Sequence, residues 1–366
     1  MEKRIHLMIA AGGSGGHLFP AQALALDLLQ KNPEMQIAFV GAGLKTNHYF
    51  KKDLFPFLEI KSGTPFKKHP WHIFKALFSI GQGAFRCLKV FSKRKPDLII
   101  GFGSYHTFPA LFAAKLRKVP IILFESNVLP GKVNRFCSKW SALSAIQFSH
   151  AARYLKGSST CVQMPLLKKK GEGPTKKEAR DYFGLDQEKF TFLVFGGSQG
   201  AQGINRFFCG AAEHLVKKGI DFQVIHIVGE DKRAEKLRDF YEKVGANAVV
   251  KAFEEKMEYG WVAADVSVSR AGAATLAEMI EFGVPSILIP YPHGTENHQM
   301  KNALFVSEEI GGAVALEEKG LRGSILAAAI CDLLENDKLK GMTQALHTFK
   351  EGESKQDLCS LVLGML

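Results

Sequence analysis

The chain has 366 residues, 46% of them hydrophobic, and a formal net charge of +12 at pH 7. The length suits two domains, the hydrophobic share is that of a globular protein with a full core, and no run of roughly eighteen apolar residues offers a membrane span. The six cysteines (Cys87, Cys137, Cys161, Cys209, Cys331 and Cys359) include no Cys-x-x-Cys spacing, which argues against a zinc site and for buried thiols in a reducing cytoplasm.

The N-terminal residues run straight into an apolar strand, Arg4–Ala10, without the features of a signal peptide. The turn Gly12-Gly13-Ser14-Gly15-Gly16-His17 follows. A helix is expected over Pro20–Lys31, where Ala21, Leu24, Ala25 and Leu28 recur at helical spacing. Strands are expected at Gln36–Val40 and Phe57–Ile60, then a basic amphipathic helix over Pro70–Phe91 with Pro70 in its first position. Leu98–Gly101 and Ile121–Phe124 read as buried parallel strands, with a further glycine turn, Gly101-Phe102-Gly103-Ser104-Tyr105, after the first.

From Gly157 to Lys177 the composition is that of a linker. The strand–glycine turn–helix pattern then restarts with Phe190–Phe195 and Gly196-Gly197-Ser198-Gln199-Gly200-Ala201. Strands Phe222–Val228, Ala248–Lys251, Val266–Ser269 and Ser286–Pro290 continue it, and Leu339–Leu366 is helix-like. Alternating strands and helices imply a doubly wound parallel sheet, here twice over: 1–162, then 163–340, then a helical tail 341–366.

Both glycine turns expose backbone N–H groups where a helix begins, a setting that binds anions. The first is neither a dinucleotide fingerprint nor a P-loop: Leu18 stands where the third glycine belongs, Val40-Gly41-Ala42-Gly43 has no ribose-binding acid, and no Gly-Lys-Ser/Thr follows. His17 opens two readings, a capping or packing residue, or a neutral imidazole acting as general base. In Ser269-Arg270-Ala271-Gly272-Ala273-Ala274-Thr275-Leu276-Ala277-Glu278, small residues let a ligand approach the backbone as a helix starts near Ala273. Glu278 is either a ribose-binding carboxylate or one stabilised by the helix N-terminus. His298 and Asn302 share a helix face beyond Pro292, and a lone histidine there is no metal site.

Between Glu59 and Asp97 there is no acidic residue, while Lys67–Lys95 interleaves basic residues with Trp71, Phe74, Phe78 and other apolar side chains. Three readings stand: a solvated crossover helix, a nucleic-acid surface without any recognised motif, or a helix lying on an anionic membrane.

Together, Gly12–His17, Gly196–Ala201, Ser269–Ala273, Glu278 and His298-Gln299-x-x-Asn302 closely resemble the MurG family of UDP-N-acetylglucosamine:N-acetylmuramyl-(pentapeptide) pyrophosphoryl-undecaprenol N-acetylglucosamine transferases, over nearly the whole chain. The resemblance implies a GT-B fold, two Rossmann-like domains facing a cleft, with the last helix crossing back to the first domain. It implies inverting transfer of GlcNAc from UDP-GlcNAc to lipid I, giving lipid II, with His17 as base and neither metal nor cofactor. By resemblance, Ser14, Gly15, Gly16, Asn127, Ser198, Ala273, Ala274, Thr275, Leu276, Ala277, Glu278 and Gln299 bind UDP-GlcNAc. Gly13, Gly103, Ser104 and Tyr105 take the acceptor diphosphate, and Trp71, Phe74, Lys75 and Phe78 meet the membrane. The implied partners are UDP-GlcNAc, lipid I, the anionic inner face of the cell membrane and other cell-wall synthesis enzymes, with no nucleic acid. The rival readings are a UDP-GlcNAc 2-epimerase of the same fold, a glycosyltransferase for another lipid acceptor, and a non-enzymatic nucleotide- or nucleic-acid-binding protein.

The sequence departs from the family pattern in three places. Gln163-Met164-Pro165-Leu166-Leu167 lacks the arginine expected at 167, beside Lys168–Lys170. Phe124-Glu125-Ser126-Asn127 replaces His-Glu-Gln-Asn, and Glu254 stands where an apolar residue commonly faces the uracil.

Overall fold

A computed structural model describes residues 5–65, 70–166, 173–197, 201–335, 337–352 and 354–366. The chain divides into two compact units, Met1–Leu167 with Ser354–Leu366, and Lys168–Glu353.

The first unit holds β1 (His6–Ala10), α1 (Gly15–Lys31), β2 (Gln36–Gly41), β3 (Phe57–Glu59), α2 (Pro70–Lys93), β4 (Leu98–Gly101) and α3 (Phe108–Leu116). It continues with β5 (Ile121–Glu125), α4 (Lys132–Cys137), β6 (Leu143–Ile146) and β7 (Ser159–Cys161). All strand pairs are parallel, in the order β3-β2-β1-β4-β5-β6-β7. The central strands are buried along their whole length, which is why they read as unbroken apolar runs.

The second unit repeats the plan. Its elements are α5 (Lys176–Phe183), β8 (Thr191–Phe195), α6 (Gln202–Lys217), β9 (Gln223–Ile227), α7 (Asp231–Val244), β10 (Asn247–Lys251), α8 (Met257–Ala263), β11 (Val266–Ser269) and α9 (Ala273–Phe282). They are followed by β12 (Ser286–Leu288), α10 (His298–Leu304), β13 (Ala313–Ala315), α11 (Gly323–Leu334) and α12 (Lys338–Gly352). The order is β10-β9-β8-β11-β12-β13, again all parallel. Alternate residues of β8 serve opposite faces. Phe192 and Val194 pack with Phe208 and Leu215 of α6, while Phe195 meets Trp261 of α8 edge-on at 5.5 Å.

A last helix, α13 (Leu358–Leu363), belongs to the first unit and packs on α1. Asp357 caps it, accepting from the Ser360 N–H at 2.9 Å, and also pairs with Lys31 at 2.9 Å. Just before it, Gln356 bridges in parallel to Val162, extending the pairing beyond β7.

Several expected boundaries shift. The first helix starts at Gly15 rather than Pro20 and carries Pro20 inside it, because the glycine turn already sets helical geometry from Gly15 onward. The stretch expected as linker contains an edge strand at Ser159–Cys161, whose pairing to β6 stands in for an apolar run. Strands β6 and β13 were not anticipated. The helix-like tail is two helices, α12 and α13. Of the cysteines, Cys161, Cys209 and Cys331 are only partly buried. Leu167, Lys168–Lys170, Lys67 and Lys68 lie outside the described residues.

Candidate active site

In each sheet the chain leaves two neighbouring central strands in opposite directions along the strand order, β1 and β4 in one, β8 and β11 in the other. Open α/β sheets bind ligands at the carboxyl ends of such strands, where helices diverge and leave a crevice. Both glycine turns of the first unit stand there, and so do Gly196–Gly197 and Ser269–Gly272 of the second.

After β1 the backbone turns through Gly13 at φ +89°, and after β8 through Gly197 at φ +84°, a region that favours glycine. Ser14 is the N-cap of α1 but forms no side-chain cap bond, so its first N–H groups have no capping side chain. His17 follows in the first turn, partly buried, its N–H bonded to Ser14 O at 3.1 Å. Gly15 is buried, while Ser14 and Gly16 are exposed.

The turn after β4 lies against the first turn through a residue that sequence reasoning passed over. The His106 ring packs on Gly13, where an added Cβ would lie 3.1 Å from Nδ1, and that nitrogen bonds to Ser104 Oγ at 2.7 Å. Its carbonyl also accepts from the Ala42 N–H at 3.2 Å, so His106 joins three loops. Burial holds its imidazole below the ordinary value, against the pull of Glu59. Ser104 itself sits at φ +73°, a strained conformation for a serine that the His106 bond helps to hold. Gly103 is buried, and the Tyr105 carbonyl accepts from Ser62 Oγ at 2.5 Å.

Asn127 is positioned by Glu125. The buried Glu125 carboxylate accepts from the Asn127 N–H and Nδ2, the Gly131 N–H and Asn134 Nδ2, all at 2.9–3.0 Å. Four donors fix a carboxylate rigidly, and with it the loop after β5.

In the second unit, α9 begins at Ala273 behind Gly272, which offers no side-chain cap, so the N–H groups of Ala273, Ala274 and Thr275 stand at the helix end next to β11. Leu276 and Ala277 are buried, Leu276 completely. Any ligand contact they make at this end is through backbone. Glu278 is partly buried, and burial raises its carboxyl to about 7. Its Oε2 accepts from Trp261 Nε1 at 2.8 Å. Ser198, Gln199 and Gly200 lie outside the described residues.

Gln299 lies on α10 after two successive left-handed residues, Glu296 at φ +53° and Asn297 at φ +58°. Its Oε1 accepts from the Tyr291 N–H at 2.9 Å, and Asn302 Nδ2 donates to Ala271 O at 3.1 Å, fastening α10 to the turn after β11. Arg270 is a structural clamp rather than a free cation. Its buried guanidinium donates to Ile289 O at 3.1 Å, Pro290 O at 3.2 Å and Glu318 at 2.5 Å. Glu254 is likewise spent within the protein. Its buried carboxylate accepts from Lys251 Nζ at 2.5 Å and the Lys256 N–H at 2.8 Å. Burial opposes its ionisation, yet these donors hold it below the usual carboxylate range.

Helix α2 buries Ala76, Gly83, Ala84, Cys87 and Phe91 along one stripe. Gly83 is required there, since a Cβ would lie 2.1 Å from Lys61 O. The other faces are apolar too: Trp71 is 65% exposed, Phe74 63%, Phe78 60% and Phe85 71%, with Lys75, Arg86, Lys89 and Lys93 exposed among them. Exposed large apolar side chains in such number mark an interaction surface. Among the described residues no helix is long and apolar enough to cross a membrane, and no cluster of His, Cys, Asp and Glu has the makings of a metal site.

Comparison with known proteins bears on both units. Residues 7–145 match the glycosyltransferase family 28 N-terminal domain, and residues 191–358 the family 28 C-terminal domain. The chain is 42% identical over 366 residues to the UDP-N-acetylglucosamine–N-acetylmuramyl-(pentapeptide) pyrophosphoryl-undecaprenol N-acetylglucosamine transferase of Protochlamydia amoebophila, covering 99% of this chain and 96% of the relative. It is 33% identical to the transferase of the same name from Chlamydia pneumoniae, covering 97% and 96%. Among solved structures, Acinetobacter baumannii MurG aligns with a TM-score of 0.76 at 23% identity over 99% of both chains. A UDP-glucose:anthocyanidin 3-O-glucosyltransferase in complex with UDP aligns with a TM-score of 0.67 at 15% identity over 96% and 94%. The fold is therefore that of the GT-B glycosyltransferases. With two switch-point turns on two Rossmann-like units and this full-length similarity, the chain belongs to glycosyltransferase family 28 and, within it, to the MurG family.

Proposed function

We propose that this chain transfers N-acetylglucosamine from UDP-GlcNAc to the 4-hydroxyl of the N-acetylmuramyl unit of undecaprenyl-pyrophosphoryl-MurNAc-pentapeptide, converting lipid I to lipid II. The carrying observation is one backbone geometry built twice, a left-handed glycine turn at each switch point, in a chain similar over its full length to relatives named for this reaction. In this reading the second unit takes the donor. The N–H groups of Ala273–Thr275 meet the diphosphate, Glu278 the ribose and Gln299 the sugar, and Ser198 is assigned to the nucleotide-sugar as well. The first unit takes the acceptor diphosphate on Gly13 and on Gly103, Ser104 and Tyr105, while Ser14, Gly15, Gly16 and Asn127 reach the donor sugar.

The chemistry follows from these assignments. His17 accepts the proton of the acceptor 4-hydroxyl as its oxygen bonds to the anomeric carbon. The bond from that carbon to the β-phosphate oxygen breaks, and its electron pair leaves with UDP. The growing negative charge falls at the N-terminus of α9, where fixed N–H dipoles stabilise it without reorganisation. Attack opposite the leaving group inverts the anomeric centre and yields a β-1,4 linkage. No metal enters the scheme, in keeping with the lack of an Asp-x-Asp motif.

The acceptor is a membrane lipid, and the exposed aromatic and basic side chains of α2 suit an anionic bilayer surface. We assign Trp71, Phe74, Lys75 and Phe78 to contact with the cytoplasmic leaflet, making the enzyme peripheral to the membrane. Incubation with UDP-GlcNAc and a short-chain lipid I analogue tests the reaction. UDP release that depends on the acceptor supports it, whereas UDP-ManNAc formation without acceptor would replace it with an epimerase. Near-wild-type turnover of His17→Ala would remove the base assignment.

A further inference from the structure

We infer that Trp261 is the positioning residue for the donor's ribose: its indole N–H holds one oxygen of Glu278 and turns the other to the vicinal diol. The inference rests on the reading of Glu278 as the ribose ligand and adds what holds it.

Trp261 Nε1 donates to Glu278 Oε2 at 2.8 Å. Among the described residues no other hydrogen bond to this carboxylate is found, so Oε1 has no partner among them. A glutamate on a helix carries several rotatable bonds, and an unheld one would lose rotamer freedom on being fixed. Holding one oxygen in advance removes part of that cost at the moment of binding.

The indole is itself immovable. Trp261 is fully buried and meets Phe195 edge-to-face at 5.5 Å and 85°. Phe195 is the last residue of β8, directly before the Gly196-Gly197 turn. Helix α8 can approach β8 this closely because Gly260 has no side chain, and a Cβ there would lie 3.2 Å from Leu193 Cδ1. One residue thus links the donor glycine turn, through Phe195, to the carboxylate on α9. The N–H also has an electrostatic effect. Burial drives the Glu278 carboxyl upward and the nearby Glu258 adds to the rise, while the Trp261 hydrogen bond opposes both.

A purely architectural tie between α8 and α9 would affect all nucleotides alike, whereas a positioning role is specific to the ribose hydroxyls. UDP and 2′,3′-dideoxy-UDP, which lacks both hydroxyls, are therefore the probes, with dissociation constants measured by calorimetry on the full chain. At pH 8.5, where a carboxyl of pKa about 7 is ionised, a hydrogen bond to it contributes about 1.5–3 kcal/mol, or roughly 10- to 150-fold, so the wild type should prefer UDP by about that ratio. Trp261→Phe keeps the ring and its packing on Phe195 but removes the donor. It should weaken UDP about tenfold, leave 2′,3′-dideoxy-UDP within about twofold, and raise the KM for UDP-GlcNAc with little change in kcat. Equal loss for both nucleotides would overturn the inference. If Trp261→Phe does not fold, Phe195→Leu, which loosens the indole, must give the same selective loss in lesser degree, and an unselective loss overturns the inference equally. Glu278→Gln tests the underlying reading separately. If it retains the wild-type preference for UDP, the ribose assignment itself falls, whatever Trp261→Phe does.

Discussion

The buried His226 makes the second unit acid-sensitive by an amount that can be worked out in advance. His226 lies in the middle of β9, fully buried, with Nε2 3.1 Å from Asn205 Oδ1 and Nδ1 2.7 Å from the Tyr241 hydroxyl. Asn205 Nδ2 faces the Val228 carbonyl, so its Oδ1 accepts, and the imidazole must carry its proton on Nε2 and accept the Tyr241 O–H on Nδ1. The ring is then neutral with both nitrogens satisfied, and a second proton can enter at Nδ1 only if the Tyr241 hydroxyl gives up its donated bond and turns to accept. Burial lowers its pKa from 6.5 to about 3. The unfolded chain therefore binds the extra proton first. Stability from this residue is fully present above pH 6.5 and is lost as the pH falls from there toward 3. At 1.36 kcal/mol per unit, the loss is about 2 kcal/mol at pH 5 and tends to about 5 kcal/mol in the acid limit.

The assay is urea unfolding between pH 7.5 and 5, followed by Trp261 fluorescence in a background with Trp71 and Trp140 replaced by Phe, so that only the second unit reports. His226→Gln cannot titrate. It should be less stable than the parent at pH 7.5 by about 1–3 kcal/mol, for imperfect satisfaction of Asn205 and Tyr241. The gap should close by about 2 kcal/mol on going to pH 5. A gap that stays constant across this range would refute the reasoning, because the acid loss would then belong to other groups.

Other predictions follow from particular contacts. Replacing Trp71, Phe74 and Phe78 by Ser should lower binding to anionic vesicles at least about tenfold, with a residual, salt-sensitive affinity from Lys75, Arg86, Lys89 and Lys93 at about 1 kcal/mol each; unchanged co-sedimentation would remove α2 from the membrane reading. Gly83→Ala should destabilise the first unit by about 1–3 kcal/mol, since its Cβ meets Lys61 O. Gly81→Ala, two residues away and with nothing within 4 Å, should stabilise it by up to about 1 kcal/mol, and thermal melts compare the two directly. Asp357→Ala removes a helix cap and the Lys31 pair, and should speed hydrogen exchange in α13 well before the rest of the unit. Burial opposes ionisation of Asp357, but Lys31 and Ser360 pull its pKa from 3.8 to about 2, so in the parent this contribution is present above pH 3.8 and lost as the pH falls through 2.

What could be read from the sequence was what local chemistry dictates. The glycine turns were legible because left-handed backbone at Gly13 and Gly197 asks for glycine, and the central strands because burial on both faces leaves only apolar residues. The edge strands β7 and β13 were not. Ser159-Thr160-Cys161 and Ala313-Val314-Ala315 are three residues each, defined by pairing with a neighbour and not by their own composition. The start of α1 was hidden by Gly15 and Gly16, poor helix formers that a first turn tolerates, and by Pro20, which reads as a helix start but lies inside the helix. Of the candidate site, the backbone was visible and its support was not. His106 sits one residue past the glycine turn that drew attention, and its packing on Gly13 comes from another strand. Trp261 and Glu278 are separated in sequence, and only the packing of α8 beside α9 joins them. Arg270 and Glu254 could have been read as ligand-facing charges, and only their tertiary partners reveal otherwise.

The placement of α13 bears on the order in which the molecule can be built. Its segment, Ser354–Leu366, completes the first unit, yet the ribosome reaches it only after the whole of the second unit has been made. The nascent first unit must wait with the face of α1 that α13 will cover, and with the outer edge of β7, still open, while the second unit can close on its own residues. An open strand edge and an uncovered apolar face are the sites where a growing chain aggregates or recruits a chaperone. Trimming residues from 354 onward should therefore injure the unit that was translated first and spare the one to which the cut lies next.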